Sequence, residues 1–249
     1  MDEHLYAAQC IDLLDLFLDD AYETGHQNLP VRQAFVYRHA RNISEIAEDV
    51  LTLEADDRIS SCFVLMRSLF ESFFNLIAAV KRESFAVEKA ISEIENDLIK
   101  IRKWQDAEKD SSPDLFADTV AEMSVFARSL REAHGVKSRC KWTAYDVATA
   151  ASLDHHYVRD YFFFSRSTHA SCTGIICQEF EIGREMILQN MTYIVLATIG
   201  HAVQVSPCKN GQSYLRQATS LLESGIDEWV KVNTNRRLQG AHDLVKLEK

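Results

Sequence analysis

Apolar residues recur along this chain at i, i+3, i+4 and i+7 in one segment after another, the period of an α-helix with one buried face. Leu5, Leu13, Leu14, Phe17, Leu18 and Ala21 set a first helix over residues 4–24, closed by Gly25. Pro30 opens a second, running to about Glu54, with Phe35, Ile43, Ile46, Val50 and Leu53 turned inward. Asp56 or Asp57 is the expected cap of a third, 58–81. That helix is apolar nearly all round, so it belongs at the centre.

A fourth helix spans about 84–108, with Val87, Ile91, Ile94, Leu98, Ile101 and Trp104 forming a stripe opposite a charged face. Ser112-Pro113 reads as the start of a fifth, which ends at His134-Gly135. The segment 135–153 is the least regular. Thr143 is placed to cap a short helix through Ala151, and Asp154 to cap the next, 155–170, before a break at Ser171–Gly174. A further helix over 183–205 stops before Pro207, and a last one, 212–232, carries Leu215, Leu222, Ile226 and Trp229. No repeat, low-complexity tract or linker divides the chain. The pattern predicts one all-α domain over 1–232, about eight helices around a buried central helix, with a polar tail at 233–249.

Composition agrees. Only 8 glycines and 3 prolines punctuate 249 residues, too few for a turn-rich all-β fold or a Gly-rich phosphate loop. A net charge of −10 disfavours an extended DNA- or RNA-binding surface, because phosphate contacts supply most non-specific affinity. The densest basic stretch, Arg128, Arg131, Lys137, Arg139 and Lys141, reads as a solvated helix end and loop. Six cysteines show no CxxC pair and no disulfide spacing, which together with an N-terminus lacking a basic, cleavable apolar leader predicts a cytoplasmic protein. Ile59–Val80 and Met186–Val205 are long enough to suggest membrane spans. Arg67, Glu71 and Asn75 in the first, and Gln189, Asn190 and His201 in the second, make buried helices of a bundle the expected outcome.

Those interrupting polar residues are where chemistry enters. Arg67 and Glu71 are four apart and share a helix face among Phe63, Leu65, Met66, Leu69, Phe70, Phe73 and Phe74. Charge buried there is costly unless other polar groups come to meet it. Tyr157, Tyr161, Ser165 and His169 follow one another at steps of four, along one slowly drifting stripe, and are the expected partners. Two readings stand side by side: a structural ion pair joining two helices, or a functional site. In the second, His169 would act as general acid/base, Arg67 would stabilise phosphate or transition-state charge, and Glu71 would orient one of them. Tyr157, Tyr161 and Ser165 would support. Asp154, His155, His156, His169 and Glu71 could assemble metal ligands, but no HExxH or paired ExxH motif is present and adjacent His155 and His156 point roughly 100° apart on a helix. No metal and no cofactor are expected. A Ser165–His169–Glu71 triad lacks the strand-to-helix turn that would expose its serine.

Arg67-Ser68-Leu69-Phe70-Glu71 in an apolar helix, followed by Tyr157, Tyr161, Ser165 and His169, resembles domain-of-unknown-function family 5677. That bacterial, all-helical family joins an Arg-x-x-x-Glu helix to a Tyr…Ser-x-x-x-His helix. The resemblance covers about residues 40–180 and implies a helical fold with no established activity. More distantly, the chain is similar to the HEPN ribonucleases, small helical proteins of bacterial toxin and defence systems whose Arg lies a few residues before a His. Here two residues separate Arg166 from His169, and nine separate Arg159 from it. This similarity implies metal-independent RNA cleavage, with RNA or a nucleotide as ligand. The other reading is a non-catalytic module that binds a small ligand or a protein, a second copy of itself included.

Overall fold

Helix α3 (Ile59–Lys81) organises the molecule, and its composition is the reason. Cys62, Phe63, Met66, Leu69, Phe70, Phe73, Phe74, Leu76 and Ile77 are all buried. Apolar side chains therefore leave it on almost every side, and each side must meet another helix. A computed structural model describes residues 2–25, 29–107, 117–136, 141–168 and 181–227, and among these every regular element is helical. Helices α2 (Val31–Ala55), α4 (Phe85–Ala107), α6 (Ala144–Ala150), α7 (154–168) and α8 (Glu181–Ala202) pack on α3. Helix α1 (Glu3–Gly25) lies against α2 and α8, and α5 (Ala117–His134) pairs with α4. A last helix, α9, covers 211–227, tied to α1 where the Tyr6 hydroxyl donates to the Leu221 carbonyl at 2.6 Å.

Helix α3 is long and apolar enough to cross a membrane, but 67% of that apolar window is buried inside the bundle. Phe63, Phe70, Phe73, Phe74 and Phe164 are each no more than 1% exposed, and burying one such side chain is worth roughly 2–3 kcal/mol. The carbonyls left over at the C-terminus of α3 find cations. Arg32 donates through Nε to Ala79 O at 2.8 Å and through Nη2 to Val80 O, while Lys81 at the same end donates through Nζ to the carbonyl of Ala151, just after α6, at 2.7 Å. Positive charge at that end also suits the helix dipole.

Several helix ends differ from expectation. Asp56 and Asp57 close α2 rather than cap α3. Asp57 takes a left-handed φ of 60° and holds Arg184 of α8 at 2.8 Å, while Arg58 precedes α3 with no side-chain cap. Thr143 does cap α6, in a capping box: its hydroxyl accepts from Asp146 N–H and the Asp146 carboxylate accepts from Thr143 N–H. Leu153, not Asp154, stands at the N-cap of α7. Gly135 ends α5 with φ +65°, as a left-handed C-terminal glycine should. Leu5, Trp104 and Ile226, placed inward by spacing, are 59%, 41% and 51% exposed. The expected starts and breaks at Ser112-Pro113 and Ser171–Gly174, Trp229 and the tail lie outside the described residues.

Helix α7 departs from α geometry. Its first turn is Asp154–His156, then Tyr157–Tyr161 form a π-helical turn, and Phe162–Thr168 resume as α-helix. The mark of the π turn is Phe162 N–H donating to Tyr157 O, five residues back. Beyond it Phe164 is sealed against Phe63 and Phe70, with ring centroids 5.2 and 5.8 Å away. Phe163 also meets Phe63, at 5.5 Å, whereas Phe162 faces outward, 52% exposed.

Candidate functional site

Arg67 and Glu71 leave α3 on the same side one turn apart, and α7 delivers Tyr161 to them. Arg67 Nε donates to Glu71 Oε1 at 3.1 Å, and the Tyr161 hydroxyl donates to that same oxygen at 2.8 Å. The guanidinium sits 5.8 Å from the centroid of the Tyr161 ring, within cation–π range. Tyr161 is itself 5% exposed. Burial, together with the adjoining Glu71 carboxylate, pushes its phenol up to about 12, so the hydroxyl stays protonated and stays a donor. Burial works against the charge on Arg67, but the hydrogen bonds and charges of Glu71 and Tyr161 outweigh it and raise its pKa.

Across the π turn the Tyr157 and Tyr161 rings stack at 4.9 Å with their planes 22° apart. Both rings lie against Phe74 of α3, at 6.5 and 6.0 Å. Tyr157 thus supports the Tyr161 ring from behind. Ser165 follows one turn later, half-buried. His169 lies outside the described residues.

The ion pair is not sealed. The side chains of Arg67 and Glu71 are 34% and 42% exposed, and they open onto a cavity of about 310 Å³. Its walls are Phe74, Asn75, Trp142, Ala144, Val147 and Tyr161, with Lys89 of α4 at the edge. Two polar atoms of these walls lack a partner. Asn75 donates through Nδ2 to the Glu71 carbonyl at 2.9 Å, which fixes its amide and leaves Oδ1 buried and unsatisfied. The Trp142 Nε1–H is buried and unsatisfied too. Such groups each cost about 1–3 kcal/mol when left unmet, and both are enclosed by protein atoms.

Close by, His39 is buried with its Nδ1 unpartnered and its ring 4.4 Å from Phe35. Burial, then the positive charges of Lys89 and Arg38, lower its pKa to about 4, so it is neutral at pH 7.

A second cluster on α7 escaped the reading of the sequence. Asp160, 2% exposed, accepts from both Arg159 (Nε to Oδ1 2.7 Å, Nη2 to Oδ2 2.8 Å) and meets His156 Nδ1 at 2.8 Å. Burial alone would raise the Asp160 pKa, but the bonds to His156 and Arg159 prevail and lower it. His156 stacks on Tyr193 of α8, centroids 5.5 Å apart. The arrangement ties the π turn to Tyr193 of α8, as Tyr161 ties it to Glu71 of α3. Among the described residues no group of three His, Cys, Asp or Glu side chains is placed to hold a metal ion. Cys10 and Cys62 are free, buried thiols, pushed up by burial to about 12 and about 11, so they behave as small apolar side chains.

Sequence reasoning brought Arg67, Glu71 and Tyr161 together correctly and missed Asn75, Lys89 and Trp142. Asn75 carried a signal, since 67, 71 and 75 form one polar stripe on an apolar helix. Lys89 and Trp142 arrive from other elements and left no local trace.

The chain is therefore an all-helical bundle with a polar cavity where one side of its central helix meets α4, α6 and α7. It belongs to a family of unknown function, DUF5677, whose model matches residues 33–181, from α2 through the segment after α7. No curated protein and no solved structure matches it.

Proposed function

We propose that this protein binds a small polar ligand in the cavity beside Arg67, Glu71 and Tyr161. One observation carries the reading: the Arg67–Glu71 pair and the Tyr161 hydroxyl meet beside a solvent-reachable cavity of about 310 Å³ whose lining also includes Lys89. A purely structural role explains less. An i,i+4 pair exposed to this degree contributes only about 0.3–0.5 kcal/mol, and it gives no reason for the pair to face a cavity. The test is a melting screen of the full chain against small polar metabolites. A ligand at a hundred times its Kd stabilises by about 2.7 kcal/mol, roughly 5–10 °C for a domain of this size. That shift should appear in the wild type and vanish in Arg67→Met. A screen in which no compound moves the wild-type Tm ends the proposal.

A second reading makes the site catalytic. Guanidinium, carboxylate and a proton-bearing phenol converge at one point reachable from solvent, which is what gripping a phosphodiester requires. On this reading the protein is a metal-independent ribonuclease-like effector of a cytoplasmic toxin or defence system. His169 serves as general acid/base, Arg67 as charge stabiliser and Glu71 as orienter, with Tyr161 and Ser165 hydrogen-bonding the substrate. Expression of the wild type should degrade cellular RNA, and His169→Ala should abolish the effect. Identical RNA profiles for the two would refute it.

A further inference from the structure

The cavity beside Arg67 sets opposite charges around a small space, and that combination selects among ligands. It measures about 310 Å³, at the small end of ligand sites. Two of its lining side chains are cations, Arg67 of α3 and Lys89 of α4, and one is an anion, Glu71 of α3. Asn75 Oδ1 and the Trp142 indole N–H are enclosed by protein, and the rings of Phe74 and Tyr161 are buried. The polar groups within a ligand's reach are therefore the charged ones.

Glu71 is placed to receive a cation. Arg67 Nε and the Tyr161 hydroxyl both donate to Oε1 and neither bond falls on Oε2, while the side chain is still 42% exposed. A carboxylate has roughly four lone-pair sites, so acceptor capacity remains on a side chain that lines the cavity. The two bonds also fix that carboxylate in advance, which lowers the ordering cost of binding. Lys89 is placed to receive an anion. Its Nζ lies 3.4 Å from Glu93, whose own side chain is mostly in solvent, and an ammonium carries more N–H groups than that one contact uses. A bare anion held by the two cations would stand beside the Glu71 carboxylate, and a bare amine held by Glu71 would stand beside the two cations. Each meets like charge. A molecule with a carboxylate and an ammonium meets opposite charge with both. Trp142 and Ala144, each half-buried, supply apolar surface for the rest of it.

We infer that the cavity binds a free amino acid as its zwitterion, with the ligand's carboxylate held by Lys89 beside Arg67 and its ammonium held by Glu71. The inference rests on the ligand-binding reading above and names the class of ligand. The experiment is calorimetric titration of the full chain at neutral pH with the standard amino acids, β-alanine and γ-aminobutyrate. The tightest of them is then compared with its deamino acid, which keeps only the carboxylate, and with its decarboxylated amine. At least one amino acid should bind at least about ten times more tightly than both analogues, the loss expected when one charge-assisted hydrogen bond is removed. Glu71→Gln keeps the shape and removes the charge. It should weaken the amino acid about tenfold and leave the deamino acid bound no more weakly than before. Lys89→Met should weaken the amino acid by a similar factor and leave the amine bound no more weakly. Melting curves confirm that each variant is folded, and the analogue comparison needs only the wild type, so it decides the matter where a variant does not fold. Equal affinity for the amino acid and either analogue, or an unchanged Kd in folded Glu71→Gln, overturns the inference. A polar metabolite of another class that shifts the wild-type Tm but not that of Arg67→Met, while no amino acid binds, would leave the binding site standing and remove the amino acid from it.

Discussion

His39 gives the sharpest quantitative expectation, because one buried ring nitrogen ties stability to pH. Burial, and behind it the charges of Lys89 and Arg38, hold the folded pKa at about 4 against the ordinary 6.5. Between those values the unfolded chain takes up a proton that the folded chain refuses. The folded state is thus penalised as pH falls below 6.5, and the penalty stops growing below the folded pKa. Integrating that difference from about pH 7.5 to about pH 5 gives a loss of about 2 kcal/mol from this one residue. At a urea m-value of ~3 kcal/mol/M the midpoint should drop by roughly 0.7 M. The comparison is His39→Leu, which removes the titrating group and keeps an apolar contact with Phe35. Urea unfolding of both proteins at both pH values isolates the effect, since His201, whose pKa burial and then Lys81 also lower, is common to both. The leucine variant should lose about 2 kcal/mol less between the two conditions. Equal losses in the two proteins would show that His39 is protonated as readily folded as unfolded.

Other substitutions probe separate features. Phe164→Ala empties a fully buried site between Phe63 and Phe70 and should cost about 3–5 kcal/mol in denaturant unfolding; a loss under 1 kcal/mol would mean that α7 is not anchored there. Asp160→Asn keeps the shape but removes the charge that Arg159 and His156 bind, and should cost about 2 kcal/mol near neutral pH. Because the Asp160 pKa is lowered on folding, that difference from wild type should shrink as pH falls below the ordinary carboxylate value of 3.8, and a constant difference down to about pH 2 would contradict it. Thr143→Ala breaks the capping box of α6 and should cost about 1 kcal/mol by the same assay, with an unchanged midpoint counting against the cap.

Most of the architecture was legible because helices write themselves in a single period. The all-round apolar face of 59–81 foretold its central position, and Thr143 announced its own cap. The failures share a cause. Asp56 and Asp57 look like caps by residue type, but the chain spends them on turning and on holding Arg184, a partner 127 residues away from Asp57. Leu5 obeys the period yet is 59% exposed, although Tyr6 and Ala7 beside it are buried. At the site, Arg67, Glu71 and Tyr161 were found because polar residues on an apolar helix demand company. Whether that company would seal them in could not be read from spacing: the cluster opens onto a cavity. Trp142 could not be read from its neighbours, since its importance comes from facing α3 and α4 across space.

The five-residue π turn also constrains how this chain can change. Shortening it by one residue to plain α geometry would swing everything after it by roughly 100° relative to everything before it. Phe164 could then keep its place between Phe63 and Phe70, or His156 and Asp160 theirs beside Tyr193, but not both sets together. A single deletion there would act like a mis-set gear tooth, leaving composition almost untouched while separating the hydroxyl at 161 from the carboxylate it meets.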